Sequence, residues 1–417
     1  MLSWEPTPVG MPSSGHPNLS QMRRENFTDA LKERAWVEID LAALAHNVRQ
    51  LRRFLSPKTA LMAVVKADAY GHGAITVAEV ACQAGASWLG VATIPEGIQL
   101  REAGIQAPIL ILGASNTTEQ VQAIAHWNLQ PTLCTPQQAF VFSETLGTLN
   151  RSLSVHVKLD TGMSRLGTPW QQAAEFVALV QRLPHLKIAS IYSHLATADS
   201  PDPTVMRQQR DRFEEAIAQI KTQSKTTGMT PPRLHLANSA AALSDPSLHY
   251  DMVRVGLATY GLYPAPHLKP AIDLKPVMQV KARVTQVKNI SAGTGVSYGH
   301  QFVASQDMRL AAIAIGYADG VPRNLSNKMQ VLLRGQPVPQ IGAITMDQMM
   351  LDVSAIPDLQ TGEVVTLLGK EGNAQISADD WAATLGTISW EILCGFKHRL
   401  PRVAVSQPLE SEQATPS

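Results

Sequence analysis

Between residues 60 and 262 the chain alternates short apolar runs with longer amphipathic stretches, and this rhythm leaves few folds open. Eight runs read as strands: 61–65, 88–92, 109–112, 130–133, 155–160, 188–194, 234–237 and 252–255. Helical patterns lie between them, such as 75–84 closed by Gly85 and 95–103 closed by Gly104. Pro95 and Pro169 sit where a first-turn proline is tolerated. Eight βα units in one stretch predict a (β/α)₈ barrel. A doubly wound open sheet is the competitor, but no G-x-G-x-x-G follows an early strand.

After Pro270 the texture changes to successive strands with few helices, at 277–287, 309–315, 331–333, 340–346, 349–353 and 364–367. One helix is expected over 378–385. The expected organisation is therefore a flexible tail over 1–33, a barrel over 34–270, a mostly β domain over 271–405 and a second tail over 406–417. A leading strand at 34–40 precedes the barrel and can join the β domain. The opening residues, including Pro6, Pro8, Gly10 and Pro12, lack the apolar core of a secretion signal. Net charge is +1, which gives no bulk attraction to nucleic acid or a membrane surface. No apolar run reaches membrane-spanning length. Cys82, Cys134 and Cys394 lie far apart without metal-ligand spacing, as expected of reduced thiols in a cytoplasmic protein.

The first strand runs directly into Lys66 and the turn Ala67-Asp68-Ala69-Tyr70-Gly71-His72-Gly73. A strand-end lysine can be partly desolvated, which lowers its pKa. The neutral amine is a nucleophile that forms a Schiff base with an aldehyde. The plain alternative is a solvated lysine at a strand end. Strand alternation puts Val155, Val157 and Leu159 on one face and His156, Lys158 and Asp160 on the other. In a barrel the apolar face meets the helices, so the polar face points inward, as do Arg254 and His235 by the same parity. His194 closes another strand. Barrel enzymes carry their sites at the C-terminal strand ends, where these side chains cluster.

The segment around Lys66 closely resembles the pyridoxal-phosphate lysine motif of the alanine racemases, and further motifs extend the resemblance from about Trp36 to Arg402. It implies that Lys66 carries the cofactor and that Tyr70 lies near its phosphate. In the stretch Lys158-Leu159-Asp160-Thr161-Gly162-Met163-Ser164-Arg165-Leu166-Gly167, it brings Arg165 to the cofactor's phenolic oxygen and makes Lys158 a candidate for carbamylation. It sets His194 beside the ring, Asn238 and Ser239 at the phosphate, and the amides of Gly256 and Leu257 there too. Ser239 is expected to open a helix, whose N-terminal amides suit a phosphate. The resemblance sets Arg254 against the ring nitrogen, where an arginine can only donate a hydrogen bond. Tyr298, in Gly295-Val296-Ser297-Tyr298-Gly299-His300, becomes the second base and acts from the partner subunit of a homodimer. A tyrosine ordinarily holds its proton to about pH 10, so this role needs positive charge nearby. Tyr317 lines the substrate entry and Met346 lies near the substrate carboxylate.

Three positions depart from the family pattern. Ala343 stands where many members have arginine, Thr345 where they have serine or cysteine, and His398 where many have tyrosine. These bear on pocket size and substrate breadth. The implied activity is interconversion of L- and D-alanine, supplying D-alanine for peptidoglycan, with no nucleic-acid or membrane partner and no metal. The alternatives are a serine or broad-specificity racemase, a basic amino-acid decarboxylase of the same architecture, and a non-catalytic cofactor-binding protein. Arg254 speaks against the decarboxylase, which uses an acid against the ring nitrogen. The β domain and Tyr298 speak against the passive binder.

Overall fold

A computed structural model describes residues 32–224 and 232–405. The expected C-terminal tail and nearly all of the N-terminal one lie outside the described residues. Eight parallel strands form the barrel: Ala60–Val64, Trp88–Val91, Ile109–Ala114, Gln130–Leu133, Leu153–Asp160, Leu186–Tyr192, Arg233–His235 and Met252–Val255. Each lies within two residues of its expected bounds. The last strand pairs with the first, with Arg254 opposite Met62. The remaining seam is spanned by Asp251 N donating to Leu234 O and Arg254 N to Ala237 O, each at 3.0 Å.

The helices between start where the sequence supplies caps. Thr117 and Thr135 accept the amides of Gln120 and Gln138, whose side chains reach back to the cap amides. Val155, Val157 and Leu159 pack outward in one core with Phe176 and Val177 of the helix Ala173–Arg182. Inside the barrel, Met62, Trp88, Leu110 and Met252 form a separate apolar layer near the N-terminal strand ends.

In the β domain, Met278–Ile290, Met308–Ile313, Met349–Asp352, Gln336–Ile341, Gln330–Leu333 and Val364–Glu371 pair in that order, and the last returns to the first. This closes a six-stranded antiparallel ring. The strand Ala35–Asp40 pairs antiparallel with Met278–Ile290 and parallel with Arg402–Val405.

The strand expected at 340–346 runs instead from Gln336 to Ile341. Gly342 ends it at φ +73°, with the Val296 carbonyl 2.8 Å from where a Cβ would stand. The helix Ala378–Leu385 has its expected bounds. An unanticipated helix, Ser389–Gly395, follows and packs on the turn after Lys66. The Leu393 carbonyl lies 2.6 Å from a Cβ built on Gly71, so only glycine fits there.

Candidate active site

The turn bearing Lys66 is left-handed. Ala67, Asp68, Ala69 and Tyr70 all lie near φ +53° and ψ +40 to +50° (φ 52–54°, ψ 38–51°). Each L-residue there costs roughly 1–2 kcal/mol, so surrounding groups must hold the turn. Glu96 accepts the Ala67 amide at 2.8 Å and the Ala92 and Thr93 amides at 2.7 and 3.1 Å. Asp68 accepts the Ala74 amide. His72 Nδ1–H donates to the Ala69 and Tyr70 carbonyls, and its ring stacks on Tyr260 at 4.4 Å. Arg402 Nε donates to the Gly71 carbonyl. Glu96 and His72 were missed as site residues in the sequence. The helix pattern opening at Pro95 was visible, but the reach of its second residue, Glu96, to Ala67 was not.

Lys66 has its pKa lowered by burial and by Arg165, against the opposing pull of Glu96. Lys158 is buried and pushed down to about 8, by desolvation first and then by Arg254 and Arg165. His194 is pushed down to about 2 by burial and by the nearby cations Arg254, Lys158, Arg165 and Lys66. Lys66, Lys158, Arg165 and Arg254 thus all lie near enough to His194 to act on it, at the C-terminal mouth of the barrel. Arg165 rides the loop after Leu153–Asp160, where Asp160 Oδ1 gathers the amides of Gly162, Met163 and Ser164.

Arg254 is 4% exposed. Its Nη2 donates to the Ser193 carbonyl at 2.7 Å and to His194 Nδ1 at 3.2 Å. Opposite it, Asn238 caps the short helix Ser239–Ser244 by accepting the Ala241 amide. The Ser239 hydroxyl accepts the Gly256 amide at 3.0 Å. The Tyr70 hydroxyl lies 2.5 Å from where a Cβ on Gly256 would stand, so a bare backbone is required. Leu257 begins the next turn, Leu257–Tyr260. The Ser239 and Tyr70 hydroxyls thus converge with the unsubstituted Gly256 on one cradle, in which Ser239 and Asn238 hold the Gly256 and Ala241 amides.

Tyr298, Tyr317 and Met346 lie elsewhere, exposed on the β domain (72%, 41% and 53%). The Tyr317 and Ala318 amides donate to the Thr345 and Met346 carbonyls, which ties the two loops together. A cleft of about 580 Å³ beside Tyr298 is lined by Ser297, His300, Thr345 and Gln348, and by none of the barrel-mouth residues. Among the described residues no hydrogen bond or ion pair joins Tyr298, Tyr317 or Met346 to the barrel mouth. The departures are placed differently: Ala343 is buried, while His398 is exposed.

The family model "Alanine racemase, N-terminal domain" matches residues 39–264, and "Alanine racemase, C-terminal domain" matches 277–404. An alanine racemase of Nostoc sp. is 74% identical over 375 residues, covering 89% of this chain and 96% of that one. One of Synechocystis sp. is 65% identical, covering 90% of this chain and all of that one (100%). Among solved structures, alanine racemase of Clostridium difficile superposes with a TM-score of 0.84 at 32% identity, covering 89% of this chain and 96% of that one. That of Bacillus anthracis with bound L-Ala-P gives 0.83 at 33% identity, covering 89% and 95%. Barrel, β domain and strand-end lysine define a pyridoxal-phosphate enzyme of the barrel type. Within that class the chain belongs to the alanine racemase family.

The residues present fit the family's cofactor. Lys66 offers an amine of lowered pKa, the Tyr70 and Ser239 hydroxyls beside the bare Gly256 offer polar groups suited to a phosphate, and Arg254 offers a guanidinium that no carboxylate neutralises among the described residues.

Proposed function

We propose that the protein is a pyridoxal-phosphate-dependent isomerase that interconverts L- and D-alanine. The observation that carries this is a barrel mouth joining Lys66, Arg254 and the Gly256 cradle, in a chain 74% identical to an alanine racemase. When bound, the cofactor supplies an electron sink for the charge left at Cα by proton removal. Lys66 holds the cofactor and exchanges a proton at one face of Cα. Tyr70, Asn238, Ser239 and the amides of Gly256 and Leu257 grip the phosphate. His194 would stand beside the ring, and Arg165 would approach the phenolic oxygen.

Arg254 donates to the ring nitrogen and keeps its own proton, even though burial lowers its pKa to about 10. By leaving that nitrogen unprotonated, Arg254 would keep the sink moderate and favour return of the proton to Cα. The opposite face needs its own base, and we assign it to Tyr298 of a second copy. The exposed Tyr298, Tyr317 and Met346 support a homodimer whose sites are shared, with Tyr317 at the entry and Met346 near the substrate carboxylate. Lys158 is assigned as a carbamate. A buried amine titrating near 8 between two arginines is a ready nucleophile for carbon dioxide, and the anionic product attracts those arginines. Growth of the protein in ¹³C-bicarbonate should give a carbamate carbon signal that is lost in Lys158→Ala; its absence removes this assignment.

The domain boundary near residue 270, a cytoplasmic location and supply of D-alanine to peptidoglycan belong to the same reading. The free cysteines Cys82, Cys134 and Cys394 support a reducing compartment. No described helix is long and apolar enough to cross a membrane. The test is chiral product analysis of the holoenzyme against a panel of L- and D-amino acids, with borohydride trapping and peptide mapping. Alanine should react fastest and the trapped adduct should lie on Lys66. Preference for another amino acid, release of carbon dioxide, or an adduct on another lysine would overturn the reading.

A further inference from the structure

The barrel interior beneath Arg254 holds a polar column with a fixed direction. Among the described residues no carboxylate pairs with the buried guanidinium. Its acceptors are the Ser193, His235 and Leu236 carbonyls and one ring nitrogen each of His194 and His235. A guanidinium only donates. Nδ1 of His235, 3.0 Å from Arg254 Nη1, therefore accepts, and the ring carries its proton on Nε2. That N–H donates to Ser190 Oγ at 2.7 Å. Ser190 has one proton, which goes to His156 Nδ1 at 2.6 Å. His156 in turn donates from Nε2 to Gln130 Oε1 at 2.8 Å.

The surroundings preserve this order. Tyr192 stacks flat on His235 at 4.6 Å, and its hydroxyl donates to Thr132, whose own proton goes to the Ile111 carbonyl. Trp88 closes edge-on against His156 at 5.5 Å. Ser190, His156 and His235 are all fully buried.

We propose that Ser190, His156 and Gln130 are positioning residues that act through His235, forming a one-way hydrogen-bond column that holds the Arg254 guanidinium in place without a counter-ion. Each link polarises the next, which strengthens the lone pair of His235 that faces Arg254. A carboxylate in that place would neutralise the cation. Removing the Ser190 hydroxyl strands the His235 N–H as a buried donor and loosens Arg254. The proposal rests on the assignment of Arg254 to the ring nitrogen. Its consequence is that residues far below the cofactor limit the side reaction that leaves it in the pyridoxamine form.

The test is ¹⁵N-histidine NMR of the holoenzyme, wild type and Ser190→Ala, together with the fraction of turnovers that end in the pyridoxamine form. In the wild type, His235 and His156 should both be neutral with the proton on Nε2. In Ser190→Ala the two tautomers of His156 should mix and the by-product fraction should rise several-fold. A wild-type proton on Nδ1 of either ring, or an imidazolium, overturns the column whether or not the variant folds. Mixed tautomers with an unchanged by-product fraction overturn the positioning role, and unchanged tautomers overturn both. Ring tautomers are read without substrate. A wild type with these tautomers that fails to racemise alanine would refute the proposed function and leave the column standing.

Discussion

Gly256 concentrates the demands of the site in one missing side chain. A Cβ there would stand 2.5 Å from the Tyr70 hydroxyl, and the residue's amide faces Ser239. Gly256→Ala must therefore push Tyr70 aside or distort the cradle. Overpacking of this kind costs about 1–3 kcal/mol. If it falls on the bound state, cofactor affinity drops roughly 5- to 150-fold. Spectroscopic titration of the apoenzyme with pyridoxal phosphate measures it directly, and unchanged affinity would exclude Gly256 from the cradle. At this scale much of the site was legible in the sequence. Lys66 stood at a strand end and was singled out by the resemblance of its segment to the cofactor-lysine motif, and strict alternation turned His156, Lys158, His235 and Arg254 inward. What alternation cannot give is which inward groups touch, because that depends on how neighbouring strands are staggered. The His235–Ser190–His156 contacts span three strands and no local pattern encodes them.

The element that most exceeds its sequence is the left-handed turn from Ala67 to Tyr70. Neither alanine nor tyrosine favours that conformation, so it is imposed by His72 just beyond the turn and by contacts from distant segments: Glu96, Arg402 and the helix Ser389–Gly395. By contrast, the eight barrel strands were readable because each is a short apolar run between breakers. The strand at Gln336–Ile341 was misjudged because Gly342 stops it, while apolar residues continue through Ile344. Glu96→Ala tests the turn. It removes the acceptor of the Ala67, Ala92 and Thr93 amides, a cap-like loss of about 0.5–2 kcal/mol. The thermal midpoint should fall accordingly, and kcat should fall more than KM rises, since Lys66 is displaced. A variant with full activity and a wild-type midpoint would mean that the turn is held elsewhere.

Across the whole molecule, buried histidines set the acid limit. His72, His156 and His194 are pushed down to about 4, 3 and 2, mainly by burial, and His235 is lowered as well. In the unfolded chain each takes up a proton near its ordinary value of about 6.5. Below that pH the unfolded state binds more protons than the folded one, so stability falls as pH falls. Each histidine contributes a slope of up to about 1.4 kcal/mol per pH unit until its folded pKa is reached. The urea midpoint should therefore decline steeply between about pH 6 and 4; a flat profile there would contradict neutral burial of these rings.

The central claim is that one catalytic site draws on two chains, with Lys66 from one and Tyr298 from the other. Mixing Lys66→Ala with Tyr298→Phe tests it. Each variant alone should be nearly inactive. After unfolding and reassembly of equal amounts, about half the dimers are mixed. By two-fold symmetry, one site of each mixed dimer carries both lesions and the other carries neither. Activity should return to roughly a quarter of wild type. If mixed dimers form and no activity returns, Tyr298 does not serve its partner's Lys66, and the shared site is wrong.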